Sequence, residues 1–478
     1  MKNLPSEFIQ QMENLLGKPE AGHLTEALQQ NAPTSIRLNP LKQVTPSDVP
    51  LYINKVAWCE EGRYLSERPS FTFDPLFHVG CYYVQEASSM FLQQAIHQYV
   101  HEPVVALDLC AAPGGKSTLL RTALPTGSVL ISNEIMRQRA QVLAENMVKW
   151  GHPEVLVTNN APVEFADCEH LFDVIVADVP CSGEGMFRKD DEAIACWTPD
   201  NVQMCAERQR GIIADVWNTL RPGGLLIYST CTYNSEEDER NVAWLVNEYS
   251  AEVLPLEVPV GAEVEGNQLG HKYPVYHFYP HKIEGEGFFL AMLRKPDEIG
   301  YRPFHMPDIS TFEKEKKKKD KRHAALPIRD ILKVVQPWVL SPESYYWLVN
   351  EESVRALPLS IATFYFWAQK HGLKLLEAGI LVATLKGTDP MPNHHLAMSA
   401  AFNVTAFPQQ EVSYAQAVSY LRKETITLPS EAPKGYVILM YRNQPIGFAK
   451  NLGNRANNLY PQEWRIRSSY IPEEFNVI

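Results

Sequence analysis

Between residues 104 and 293, short apolar runs alternate with stretches in which apolar residues recur every three or four positions. Residues 104–109, 128–133, 155–158, 172–178 and 224–230 are rich in Val, Ile and Leu and bounded by turn formers, which predicts buried strands. Residues 116–124, 136–150 and 201–220 carry helical spacing between them, and Arg221-Pro-Gly-Gly224 reads as a helix stop before the fifth strand. Strands that alternate with helices predict a parallel sheet covered on both faces. Residues 273–279 and 287–293 are expected to close that sheet as a late hairpin. The predicted fold class is α/β, Rossmann-like in its central part.

The flanks are less regular. Phe8, Met12, Leu15 and Leu16 fall on one face of an N-terminal helix, and Ser35-Ile-Arg-Leu-Asn-Pro-Leu-Lys42 alternates enough for a strand. Past residue 326, residues 379–384 and 436–441 predict short strands and 434–450 a hairpin, so one or two small mixed domains are expected there. The cluster Phe364-Tyr-Phe-Trp367 belongs in a core, and no internal repeat is visible. Four segments result: an N-terminal α+β region at 1–103, a central domain at 104–296, a charged linker at 297–325 and a C-terminal mixed α/β region at 326–478.

Composition removes several classes of function. A chain of 478 residues with 45% hydrophobic content can bury several cores, as a soluble globular protein does. No signal-peptide order opens it and no apolar run spans a bilayer, so it is expected in the cytoplasm with no membrane partner. Its eight cysteines form no Cys-x-x-Cys pair, which leaves zinc ribbons unsupported and predicts reduced thiols and no metal. Adjacent His394 and His395 cannot share one face, so they predict no metal site either. The net charge of −12 is uneven. Residues 323–478 carry +2 and the Lys-rich run 313–322 carries +4, which leaves −18 on residues 1–312. An acidic body with a neutral-to-basic tail suits a selective nucleic-acid enzyme better than a packaging protein.

Three clusters carry chemistry. In Leu107-Asp-Leu-Cys-Ala-Ala-Pro-Gly-Gly-Lys-Ser-Thr118 a strand ends in a glycine turn that opens a helix, aiming backbone amides at a ligand. Gly115-Lys-Ser invites a nucleotide-phosphate loop, but Cys110 stands where that loop needs its first glycine. The alternative is an adenosine cofactor, whose ribose is held by an acid about 20 residues on. Glu134 lies 19 residues past Gly115, just after a predicted strand. The second cluster, Phe172-Asp-Val-Ile-Val-Ala-Asp-Val-Pro-Cys-Ser-Gly-Glu-Gly185, sets Asp178 and Cys181 at the carboxyl end of a strand, where open α/β sheets bind ligands. Gly183 and Gly185 are read there as room for close approach by substrate. The third, Leu225-Leu-Ile-Tyr-Ser-Thr-Cys-Thr-Tyr-Asn234, ends the next strand at Cys231.

Cys110-Ala-Ala-Pro-Gly-Gly-Lys116, Asp178-Val-Pro-Cys-Ser-Gly183 and Ser229-Thr-Cys-Thr232 resemble motifs of the NOL/NOP/Sun family of RNA cytosine-5 methyltransferases. Pro180-Cys-Ser-Gly-Glu-Gly-Met-Phe-Arg-Lys-Asp190, residues 35–42 and Tyr83-Val-Gln-Glu-Ala-Ser-Ser-Met90 are closer to its bacterial RsmF branch, which acts on 16S ribosomal RNA. The similarity spans about residues 35–295, and the tail loosely resembles that branch's PUA-like RNA-binding module.

The resemblance implies an S-adenosylmethionine-dependent methyltransferase fold that modifies carbon 5 of a cytidine. It places Cys110, Ala111, Ala112, Pro113, Gly114, Gly115 and Lys116 around the cofactor's methionine and sugar, and Glu134 on the ribose. Arg139 and Asp178 also fall in the cofactor pocket. Where relatives carry an acid near the adenine this chain reads Thr158-Asn-Asn-Ala161, so Asn160 is expected to accept the adenine amino proton. The family assigns attack to Cys231 and product release to Cys181. Carbon 5 becomes nucleophilic only after a thiolate adds to carbon 6, and Asp178 is placed to put a proton at ring nitrogen 3. Expected partners are ribosomal RNA or the small ribosomal subunit, bound by a monomer, with the tail adding RNA affinity but no chemistry. Two rivals remain: a nucleotide-hydrolysing phosphate-loop enzyme, which Cys110 contradicts, and a silent ribosome-assembly factor, against which the complete reactive set argues.

Overall fold

Runs buried on both sides have no polar face to offer water, so they belong inside a parallel sheet. The computed structural model describes residues 2–42, 44, 49–301, 304, 306–307, 309–312 and 327–468, and the five central runs form such a sheet in it. Its strands are β1 (Val105–Asp108), β2 (Val129–Asn133), β3 (Leu156–Thr158), β4 (Phe172–Asp178) and β5 (Leu220–Thr230). They lie in the order β3-β2-β1-β4-β5 and are all parallel. The order reverses between β1 and β4, which makes their carboxyl ends the switch point where such sheets bind ligands.

The expected hairpin is present as β7 (Tyr276–Phe278) and β8 (Phe288–Arg294), with β8 antiparallel to β5. A short β6 (Glu252–Leu254) lies beyond β8. At the other edge β3 takes an antiparallel strand from the far C-terminal region, β9 (Leu375–Ala378). The sheet therefore crosses the boundary that the sequence draws at residue 296. One local expectation is corrected. Arg221-Pro-Gly-Gly224 is no helix stop but lies within β5, because Gly223 N–H bonds to Lys295 O and Lys295 N–H to Gly224 O. The preceding helix ends at Val216, followed by a short 3-10 turn.

Each sheet face has its own cover. Leu107, Ile131, Ile175 and Tyr228 pack with Ile213, Val242, Phe364 and Trp367. Ala106, Leu130, Val174 and Ile227 pack with Leu119, Leu120, Phe91, Ile96 and Trp58. The tail helix Leu359–Lys370 thus covers one face and the N-terminal region covers the other. Burial of Phe364 and Trp367 contributes roughly 2–3 kcal/mol each.

The N-terminal helices Ser6–Leu16 and Lys18–Leu28 bury Phe8, Met12 and Leu24 against Phe187, Trp197, Tyr233 and Tyr279. A four-stranded antiparallel sheet follows. Its strand Thr34–Leu38 is shorter than expected and buried at every position, because it pairs on both sides and is covered on both faces. The tail holds two four-stranded sheets. In the expected hairpin, strands Gly435–Tyr441 and Gln444–Asn451 join through Arg442 and Asn443, both with positive φ, as a two-residue turn of this hand requires. His394 and His395 pack on Tyr460 and Trp464, and the Lys-rich run 313–322 lies outside the described residues. No helix among the described residues is long and apolar enough to cross a membrane.

Candidate active site

The turn after β1 runs through Cys110, Ala111, Ala112 and Pro113 to Gly114, whose φ of +116° strains any residue with a side chain. Helix Gly115–Ala123 begins there. Its first turn is held from several sides. Ser117 Oγ donates to Asp108 Oδ2 at 2.6 Å, Thr118 Oγ1 donates to Gly114 O at 2.8 Å, and Ala111 N–H bonds to Asn133 O. Arg37 reaches in from the N-terminal sheet and donates to Gly115 O at 3.2 Å and Thr118 Oγ1 at 2.6 Å. Burial outweighs the nearby Cys59 and Glu61 and pushes that guanidinium down to about 10. Burial likewise pushes the Asp108 carboxyl up to about 7.

A cavity of about 170 Å³ opens over this turn, lined by Cys110, Ala111, Ala112, Pro113, Gly115, Lys116 and Asp178. Its other wall is Tyr83, Val84, Gln85, Glu86 and Ser89 from the N-terminal region. The wall residues were not singled out in the sequence as contacts, although the Tyr83–Met90 run was noted for its resemblance. Larger clefts of about 610 Å³ and about 660 Å³ lie elsewhere and contain none of Cys110–Lys116, Glu134, Asp178, Cys181 and Cys231.

Glu134 follows β2 and is buried. Its Oε1 accepts the Met136 N–H at 2.9 Å, and its Oε2 lies 3.4 Å from Arg139 Nη1. Arg139 Nη2 donates to Ala112 O at 2.8 Å, so one guanidinium ties the acid to the glycine turn. Asn160 lies two residues past β3. It does not line the cavity, and its Oδ1 already accepts the Lys374 N–H at 3.1 Å, next to β9. Its backbone N–H bonds to Asn133 Oδ1 at 3.0 Å.

Neighbouring strands β4 and β5 deliver the remaining groups. Asp178 is registered against Ser229, whose Oγ donates to Asp178 Oδ1 at 2.8 Å, while Lys116 Nζ donates to Oδ2 at 2.7 Å. Burial disfavours the Lys116 ammonium, but Asp178 outweighs it and holds the lysine above its ordinary value. Both carboxylate oxygens thus face donors, and the mobile proton beside Asp178 is on Lys116.

Cys181 and Cys231 carry free thiols with sulfurs 3.1 Å apart. The hydrogen bond to Cys231, reinforced by burial, raises the Cys181 thiol well above its usual range. Burial raises Cys110 too, which makes it an inert part of the turn. The glycine expectation is corrected here. Gly185 gives room to protein, because its N–H bonds to Cys231 O at 2.8 Å and a Cβ there would lie 2.9 Å from that oxygen. Beneath both cysteines are Glu184, Asn234 and Glu237, all buried and all missed in the sequence, where Asn-Ser-Glu-Glu reads as an ordinary polar turn.

Known proteins match along most of the chain. Residues 96–294 match the family described as 16S rRNA methyltransferase RsmB/F. Residues 4–87 match the N-terminal domain of 16S rRNA methyltransferase RsmF, and residues 407–466 match the methyltransferase RsmF PUA domain. The ribosomal RNA small subunit methyltransferase F of Escherichia coli O127:H6 is 31% identical over 96% of both chains. Among solved structures, a methyltransferase homolog protein from Pyrococcus horikoshii is 28% identical, with a TM-score of 0.53 over 61% of this chain and 95% of its own. NSun6 from the same organism, solved with SFG, is 20% identical, with a TM-score of 0.52 over 62% of this chain and all of its own, and shares the fold.

Proposed function

The chain belongs to the RsmF group of 16S rRNA methyltransferases, and we propose that it methylates carbon 5 of a cytidine through a covalent adduct to Cys231. S-adenosylmethionine supplies the methyl group when bound. The residues present suit it: a backbone-lined cavity at a helix N-terminus, and a buried acid, Glu134, at the end of the next strand. The turn Cys110–Lys116, Glu134 and Arg139 are the residues that hold it.

The observation that carries the reading is the pair of sulfurs 3.1 Å apart at the ends of adjacent strands, next to the Lys116–Asp178 pair. The Cys231 thiolate adds to carbon 6 of the ring. The charge this sends toward nitrogen 3 is met by a proton drawn from the Lys116–Asp178 pair, the shared-proton form of the role expected for Asp178. Carbon 5, now an enamine carbon, takes the methyl group. Its proton then passes to water, the C5–H electrons restore the ring double bond, Cys231 departs as thiolate, and the nitrogen 3 proton returns to the Lys116–Asp178 pair. The raised Cys181 thiol stays protonated and suits release rather than attack. In a stacked helix nitrogen 3 is paired and the ring faces above carbons 5 and 6 are covered, so the base must be unstacked to enter. The work belongs in the cytoplasm, on ribosomal RNA or the small subunit.

A denaturing gel with labelled small-subunit RNA tests this. Cys181→Ala should leave enzyme covalently joined to RNA, and Cys231→Ala should leave none. A reversed pattern overturns the assignment of the two roles, and activity retained by both variants overturns covalent catalysis.

A further inference from the structure

Nothing covalent joins the two connections that carry Cys181 and Cys231, yet their sulfurs are in contact. Two carboxylates cross between those connections in opposite directions. Glu184, three residues past Cys181, accepts the Tyr233 N–H on Oε2 at 2.6 Å. Glu237, six residues past Cys231, accepts the Ser182 N–H on Oε2 at 3.0 Å. Asn234 bridges them, with Nδ2 3.1 Å from Glu184 Oε1 and 2.9 Å from Glu237 Oε1. Trp197 Nε1 donates to Glu184 and Gln209 Nε2 to Glu237, and the Glu184 and Glu237 side chains are shut off from solvent.

Two neighbouring carboxylates in a dry site are expensive, and an apolar plug of the same volume would join the loops with less penalty. What an apolar plug cannot do is fix a main-chain N–H of each loop to a particular atom of the other. Release makes that spacing matter. As the carbon 5 proton passes to water and the C6–S bond breaks, the Cys231 sulfur becomes a thiolate, and the Cys181 S–H at contact distance stabilises it by a hydrogen bond. That bond weakens steeply if the loops drift apart.

We propose that Glu184, Asn234 and Glu237 are positioning residues that set the distance between the two sulfurs, and so the rate at which methylated RNA leaves Cys231. The proposal rests on the covalent reading above and deepens it.

Glu184→Gln, Glu237→Gln and the smaller Asn234→Ser are made in the full chain, with Cys181→Ala as reference. S-adenosylmethionine affinity, kcat, KM for small-subunit RNA and the fraction of enzyme joined to RNA on a denaturing gel are measured. The expected result is kcat lowered about 10-fold, with donor affinity and RNA KM within about twofold, and an adduct fraction rising toward that of Cys181→Ala. A destabilised fold would lower donor binding and adduct together. A second reading needs no RNA: hydrogen peroxide should oxidise the pair to a disulfide, two thiols and one peroxide giving the S–S bond and two waters, more slowly in the variants. The positioning role is overturned if the variants trap no extra adduct while Cys181→Ala does, or if disulfide formation keeps its wild-type rate. If Cys181→Ala itself traps nothing, the covalent reading falls and the positioning role with it.

Discussion

The active site has a donor half and an attacking half, and they are built differently. The donor half is a local device. One strand, one glycine turn and one helix shape one side of the cavity, Tyr83–Ser89 close the other, and Arg37 and Arg139 brace the turn from outside. The attacking half is assembled from distant pieces. Two strand ends bring the sulfurs together, buried carboxylates lace their loops, and Gln11 of the first helix reaches to 3.4 Å from Glu184. Backbone geometry suffices where a ligand must be held. Side-chain networks appear where two reactive atoms must keep a fixed distance.

The sharpest break between the halves comes from Cys231→Ala. Methyl transfer to RNA should fall by about 1,000-fold or more, with donor affinity by calorimetry unchanged. Donor binding lost in parallel would mean that the halves are one unit.

Each half also holds one carboxyl pushed by burial up to about 7, Asp108 in the donor half and Glu184 in the attacking half. Their values in an unfolded chain are near 4, so the fold favours the protonated forms. These two groups should therefore add stability as pH falls from 8 to 5, each about 2.5 kcal/mol at most. Asp108→Asn and Glu184→Gln should each flatten the pH dependence of Tm by a similar amount. Unaltered slopes would mean that both acids are ionised in the fold throughout.

Glu134→Ala, which removes the acid proposed to hold the ribose, should weaken donor binding by about 1.5 kcal/mol, roughly 10-fold, and leave Cys231 alkylation untouched. A loss of RNA affinity instead would move Glu134 out of the donor half.

The smallest effect probes the tail. Lys374→Pro deletes the N–H that Asn160 accepts and should lower the unfolding free energy by about 1 kcal/mol, with RNA KM constant. A change in RNA KM alone would return the tail to a purely RNA-binding role.

This division also explains what could be read from the chain. The central strands and the glycine turn follow from hydrophobic runs and local turn chemistry, so Cys110–Lys116, Asp178, Cys181 and Cys231 were visible as motifs. The wall residues Tyr83 and Gln85 and the clasp residues Asn234 and Glu237 have no periodicity and no motif spacing, because their roles come from tertiary neighbours. No local rule places Lys374, 214 residues later, against the oxygen of Asn160. The Arg221–Gly224 segment misled for a related reason. Proline and glycine usually punctuate, but here Lys295 pairs with both flanking glycines and draws the segment into the sheet.

The edge strand Leu375–Ala378 has a bearing on how the protein is made. Strand Phe288–Arg294 leaves the synthetic machinery 80 residues before it. At about 5–20 residues per second, the sheet waits roughly 4–16 seconds for its last member. During that interval Leu156–Thr158 is a bare edge, open to pairing with a passing strand. The nascent chain thus has its cysteine connections in place before its donor edge is sealed. It becomes a finished catalyst only once most of its tail has emerged.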